Sequence, residues 1–77
     1  MSEIQELDAR FLSCPMPLLK LRKALASMQP GEQVRVYTTD PVAYEDFTAF
    51  CERSAHKLAS VQQTPEGYAL TVECGDS

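Results

Sequence analysis

Pro15-Met16-Pro17-Leu18-Leu19-Lys20-Leu21-Arg22-Lys23-Ala24-Leu25-Ala26-Ser27-Met28 carries the clearest structural signal in the chain. Leu18, Leu21, Leu25 and Met28 return at three- and four-residue steps, and Leu19 and Ala24 widen the stripe. That spacing puts apolar groups on one side of an α-helix. Pro15 suits the first helical position, where a missing N–H costs nothing, and Pro17 adds a second proline to the first turn. Pro30-Gly31 stops the element. The pattern predicts an amphipathic helix from Pro15 to about Met28.

Working outward, Ile4 to Leu7 reads as a short first strand. On the other side, Glu32 to Thr38 alternates: Val34, Val36 and Thr38 face one way, Arg35 and Tyr37 the other. Thr39-Asp40-Pro41 supplies a cap and a first-turn proline for a second helix, with Ala43, Phe47, Phe50 and Ser54 on its inner stripe. Glu45 and Asp46 stand near its positive N-terminal end. Lys57 to Gln63 and Tyr68 to Cys74 are strands joined by the turn Thr64-Pro65-Glu66-Gly67, and Tyr68, Leu70, Val72 and Cys74 share a face. The order βαβαββ implies an α/β (α+β) two-layer sandwich, with a four-stranded mixed sheet and two helices on one face. The open face, carrying Arg35 and Tyr37, is then a docking surface.

The chain has 77 residues, of which 44% are hydrophobic and 23% charged, so residues 1–77 are expected to form one folded domain. No apolar run reaches the roughly 20 residues of a membrane span. Met1 to Glu6 is acidic and lacks the apolar centre of a secretory signal, so a cytoplasmic location is expected. A net charge of −4 argues against tight nucleic-acid binding and leaves at most transient contact with tRNA. Three cysteines, Cys14, Cys51 and Cys74, make an odd count, which argues against a disulfide framework.

Ser13-Cys14-Pro15-Met16-Pro17 puts Cys14 at or beside the helix N-cap. Unpaired backbone N–H groups and the positive end of the helix dipole stabilise a thiolate there, although the prolines remove donors at their own positions. The bland alternative is a small apolar cysteine filling space at a turn. Arg10 or Lys20 could add positive charge.

Leu7-Asp8, then Leu12-Ser13-Cys14-Pro15-Met16-Pro17-Leu18, resembles the L-D-x-x-G-L-x-C-P-x-P-L signature of the TusA/SirA-like sulfur-carrier family. Thr39-Asp40-Pro41, followed by Asp46, Phe50-Cys51 and His56, is similar to that family's second block. The resemblance implies the βαβαββ fold and a sulfur relay in which Cys14 accepts sulfane sulfur as a persulfide from a cysteine desulfurase or similar donor. The sulfur then passes to a partner protein, toward tRNA thiolation, molybdenum-cofactor supply or sulfur oxidation. Pro15, Pro17, Asp40 and Pro41 would support the motif. Three residues depart from the pattern: Phe11 where glycine is usual, Thr48 where proline is common, and Ala55 in place of glycine before His56. A left-handed helix end at Ala55 would cost about 1 kcal/mol.

The remaining candidates have structural readings. Cys51 fits core packing or a resolving thiol, and Cys74 fits packing on the last strand. His56 fits capping between helix and strand, or a base for Cys14. No paired C-x-x-C, glycine-rich phosphate loop or G-x-S-x-G is present, so no metal or cofactor is expected. Lys20, Arg22 and Lys23 form either a solvated helix face or a partner-binding patch, with Lys20 and Lys23 on one line and Arg22 off it. The expected role is a monomeric carrier rather than a stand-alone enzyme. The alternatives are a regulatory or protein-interaction module with a structural Cys14, and a cysteine-dependent redox enzyme.

Overall fold

Alternation in Gln33-Val34-Arg35-Val36-Tyr37-Thr38 produces a strand with Val34, Val36 and Thr38 buried and the residues between them half-exposed. In the computed structural model, which describes residues 4–13 and 15–75, this strand is one of six elements. They are β1 (Gln5–Ala9), α1 (Met16–Ala26), β2 (Gln33–Thr38), α2 (Val42–Glu52), β3 (Lys57–Gln63) and β4 (Tyr68–Glu73). The sheet order is β1-β2-β4-β3, with β1 and β2 parallel and the other pairs antiparallel. Helix α1 makes the crossover that parallel neighbours require. The expected mixed sheet with two helices on one face is the observed architecture.

Strand β1 is longer than Ile4 to Leu7 suggested, because its pairing with β2 runs from Gln5 opposite Val34 to Ala9 opposite Thr38. Ala9 is fully buried and anchors that end. Helix α1 starts one residue later than expected and stops at Ala26: Pro15 is the N-cap, with φ −100° and ψ 17°, and Pro17 is the second helical residue. Its buried side is Pro17, Leu21, Ala24 and Leu25, while Leu19, expected on that side, is 47% exposed. Met28 lies beyond the helix and still packs against the core.

In α2, Ala43, Phe47 and Cys51 form the buried stripe at four-residue steps, with Phe50 at its margin. Phe47 is fully buried, and burying a phenyl ring contributes about 1.5–3 kcal/mol. The helix begins at Val42, with Pro41 before it rather than inside it. Asp40 Oδ1 accepts the Val42 N–H at 3.0 Å, which satisfies one orphan donor of the first turn.

Close backbone approach explains two glycines. A Cβ at Gly67 would run into the Thr38 carbonyl oxygen, so the β3–β4 turn packs tightly on the end of β2. A Cβ at Gly75 would meet the Ala55 carbonyl oxygen in the same way. Ala55 itself is not left-handed; among the described residues Phe11 is the non-glycine with positive φ, at 65°.

Candidate functional site

Because β1 and β2 are parallel, their C-terminal ends lie at one end of the sheet, and each leads by a short connection into the N-terminus of a helix. Open α/β sheets hold their sites in this place. Cys14 belongs to the connection between β1 and α1, and it lies outside the described residues. The residues on either side define its setting. Met16 N–H donates to the Ser13 carbonyl at 2.8 Å, and Leu19 N–H donates to the Pro15 carbonyl at 3.0 Å, which closes the first turn. Among the described residues no side chain caps α1, and no acidic residue stands in its first turn. The first turn of α1 therefore carries no carboxylate of its own, unlike that of α2, which has Asp40 before it and Glu45 within it.

The connection is tied down on both sides. Phe11 N–H donates to Thr39 Oγ1 at 2.9 Å, which joins it to the loop before α2. Arg10 donates to both carboxylate oxygens of Asp8, at 2.9 and 3.1 Å, and to Glu66 Oε1 at 2.8 Å. These hydrogen bonds hold the Asp8 carboxyl down at about 2, with the side chain of Arg10 the largest cause and its backbone N–H the next. Phe11, Leu12, Ser13, Thr39 and Asp40 line a shallow depression of about 290 Å³. Phe11 pays twice for its place: a left-handed backbone costs about 1–2 kcal/mol for a residue with a Cβ, and its ring is 77% exposed.

A sequence model of the family described as Sulfurtransferase TusA matches residues 5–74. The chain belongs to the TusA family. Among its TusA-family relatives, the sulfur carrier protein TusA of Allochromatium vinosum is 43% identical over 54 residues, 70% of this chain and 71% of that protein. A candidate sulfur carrier of Neisseria meningitidis is 39% identical over 69 residues, 90% of this chain and 93% of its own length. A SirA-like protein of Desulfitobacterium hafniense has the same fold, with a TM-score of 0.82 at 21% identity, covering 95% of this chain and 100% of that one.

The other two cysteines of this TusA-family chain are free thiols in the core. Burial pushes both up, and the charge of Glu32 raises Cys74 further. His56 sits at the other end of α1 from Pro15, beside a cleft shared with Leu25, Ala26, Met28 and Cys74. Its ring stacks on Phe50 at 5.6 Å between centroids, and its Nδ1 accepts the Gly75 N–H at 2.9 Å. It is thus engaged in structure at the end of the fold away from the α1 N-terminus.

Lys20, Arg22 and Lys23 are all exposed on α1. The charge of Lys20 is felt at Asp8 on β1, whereas Arg22 lines the groove between the helices with Asp46 and Arg53. On the open face, Tyr37 Oη–H donates to Glu6 Oε2 at 2.7 Å and Arg35 donates to Glu6 and to Thr71 Oγ1. Sequence reasoning missed Arg10 with Glu66, and Thr39 as the anchor for Phe11. No local signal links residues so far apart in the chain.

Proposed function

We propose that this protein carries sulfane sulfur as a persulfide on Cys14, received from a cysteine desulfurase or similar donor and passed to an acceptor protein. The observation that carries this reading is a contrast among the cysteines. Cys51 and Cys74 are buried thiols with raised pKa values, while Cys14 precedes by two residues the N-terminus of α1, whose first turn carries no acidic residue. A helix N-terminus favours the thiolate, which is the nucleophile in sulfur exchange.

In the loading step the Cys14 thiolate attacks the terminal sulfur of the donor persulfide. The new S–S bond forms on Cys14, the donor's S–S bond breaks, and the donor cysteine leaves as a thiolate. No external oxidant or reductant is consumed. Passing the sulfur on repeats the exchange with an acceptor thiolate. Membership of the TusA family, whose relatives are named sulfur carriers, supports this reading. tRNA thiolation is one destination for the sulfur, and the exposed cations Lys20, Lys23 and Arg22 would steer protein partners.

The test is to incubate the protein with a cysteine desulfurase and cysteine, then weigh it intact and map the modified peptide. One added sulfur on the Cys14 peptide is expected, and none on Cys14→Ser. Sulfur on Cys51 or Cys74 instead would sink the assignment.

A further inference from the structure

Among the described residues Phe11 is the non-glycine with positive φ, and its side chain is largely exposed to solvent. Its backbone is left-handed at φ 65°, which glycine adopts freely and phenylalanine does not. Its ring is 77% exposed, while its own N–H is fixed by Thr39. Glycine would keep the hydrogen bond, relieve the backbone and remove the exposed ring. A strained, bulky residue held firmly in place on the surface points to a role at that surface.

Chain geometry says which surface. Phe11 stands three residues before Cys14 in the sequence, so their Cα atoms are at most about 11 Å apart. A stable protein interface covers about 800 Å² per partner, a disc about 16 Å in radius. An interface of that size centred on Cys14 reaches as far as Phe11. The depression that Phe11 lines also holds Leu12 and the polar residues Ser13, Thr39 and Asp40, so the ring is an exposed apolar contact with polar groups at its rim. We infer that Phe11 is a specificity-determining contact for the persulfide donor protein, its phenyl ring seating in an apolar socket beside the donor's reactive cysteine. This inference rests on the carrier reading of Cys14.

The experiment compares wild type with Phe11→Gly and Phe11→Asn. Asparagine tolerates the left-handed region without the flexibility of glycine, so the pair separates loss of the ring from loosening of the loop. A persulfide-loaded cysteine desulfurase is the protein donor, and inorganic polysulfide is the small donor, which gives one sulfur to the Cys14 thiolate and leaves one atom shorter. Both variants should melt at or above wild type. Both should load from polysulfide at the wild-type rate. With the desulfurase, KM should rise about tenfold in both, since a buried aromatic anchor is commonly worth that much. Equal KM for all three proteins, or equally absent transfer, overturns the inference. So does a lower melting point in both variants, which would make Phe11 a structural residue. If polysulfide places no sulfur on Cys14 of the wild type, the carrier reading itself fails, and this inference fails with it.

Discussion

His56 Nδ1 accepts the backbone N–H of Gly75 at 2.9 Å, so the single histidine fastens the end of β4 to the start of β3. Removing it with His56→Ala leaves that N–H without its partner, a loss of about 1 kcal/mol. In a chain of this size, a fall of about 5 °C in melting temperature is expected. Iodoacetamide labelling of Cys14 should not change. A tenfold slower labelling would make His56 a base for the thiol after all.

Cysteine reactivity should follow position. In the folded protein near neutral pH, iodoacetamide should modify Cys14 well before Cys51 or Cys74, whose thiols are buried and pushed upward. Peptide mapping after brief exposure reads this directly. Denaturant should abolish the preference. Early labelling of Cys51 in the native protein would contradict the packing described above.

Serine substitution should separate the same residues by stability. Cys51→Ser puts a hydroxyl among Ala43, Phe47 and the sheet, at a cost of about 1–3 kcal/mol. Cys14→Ser should melt close to wild type, because serine is itself a good residue at a helix start. Thermal melts of the two variants check this; a large loss for Cys14→Ser would favour a structural Cys14.

Asp8 links the loop to pH. Its carboxyl is lowered from the ordinary 3.8 to about 2 by Arg10, so the folded state holds the carboxylate more strongly than the unfolded chain does. The stabilisation is fully present above about pH 4 and fades as the pH falls toward 2. Asp8 is exposed, so the effect is small. The gap in melting temperature between wild type and Asp8→Asn should close over that window. A constant gap from neutral pH down to pH 2 would show that the carboxylate charge is not the source.

The three cations on α1 should not act as one. Reversing Lys20 and Lys23 together should slow loading from a protein donor at low salt, with the difference lost at high salt. Reversing Arg22 alone should do less, since it faces the interhelical groove with Asp46 and Arg53. Loading rates at two ionic strengths decide the matter. Equal loss from either change would show that the three cations act as one patch.

Much of the architecture was legible because its signals are local. The alternation of β2, the stripe of α1 and the Thr64–Gly67 turn each sit within a few residues. Strand β1 has a weak sequence signal because Gln5, Glu6 and Asp8 are polar, and its extent to Ala9 comes from pairing with β2. Leu19 looked like core by composition, yet its direction on the helix leaves it exposed. The placement of β4 between β2 and β3 had no sequence signal, since a hairpin does not say which of its strands meets the rest of the sheet. At the site, Cys14 and its prolines announced themselves, and the departure at Phe11 was visible against the family pattern. What could not be read was that Phe11 takes the left-handed backbone which glycine would have taken.

Between Leu58 and Ser60 the pairing of β3 with β4 slips by one residue, which leaves Ala59 without a place in the ladder. Leu58 and Val61, an odd step of three apart, therefore both lie opposite inward residues, Val72 and Leu70. Among the described residues no strand pairs with the outer edge of β3, and a flat edge of this kind is a template for other chains. The extra residue bends that edge and so works against self-association. Deleting Ala59 would leave every remaining partner in register while straightening the strand. The resulting protein should fold and then aggregate more readily on concentration, so the kink at Ala59 reads as a solubility feature.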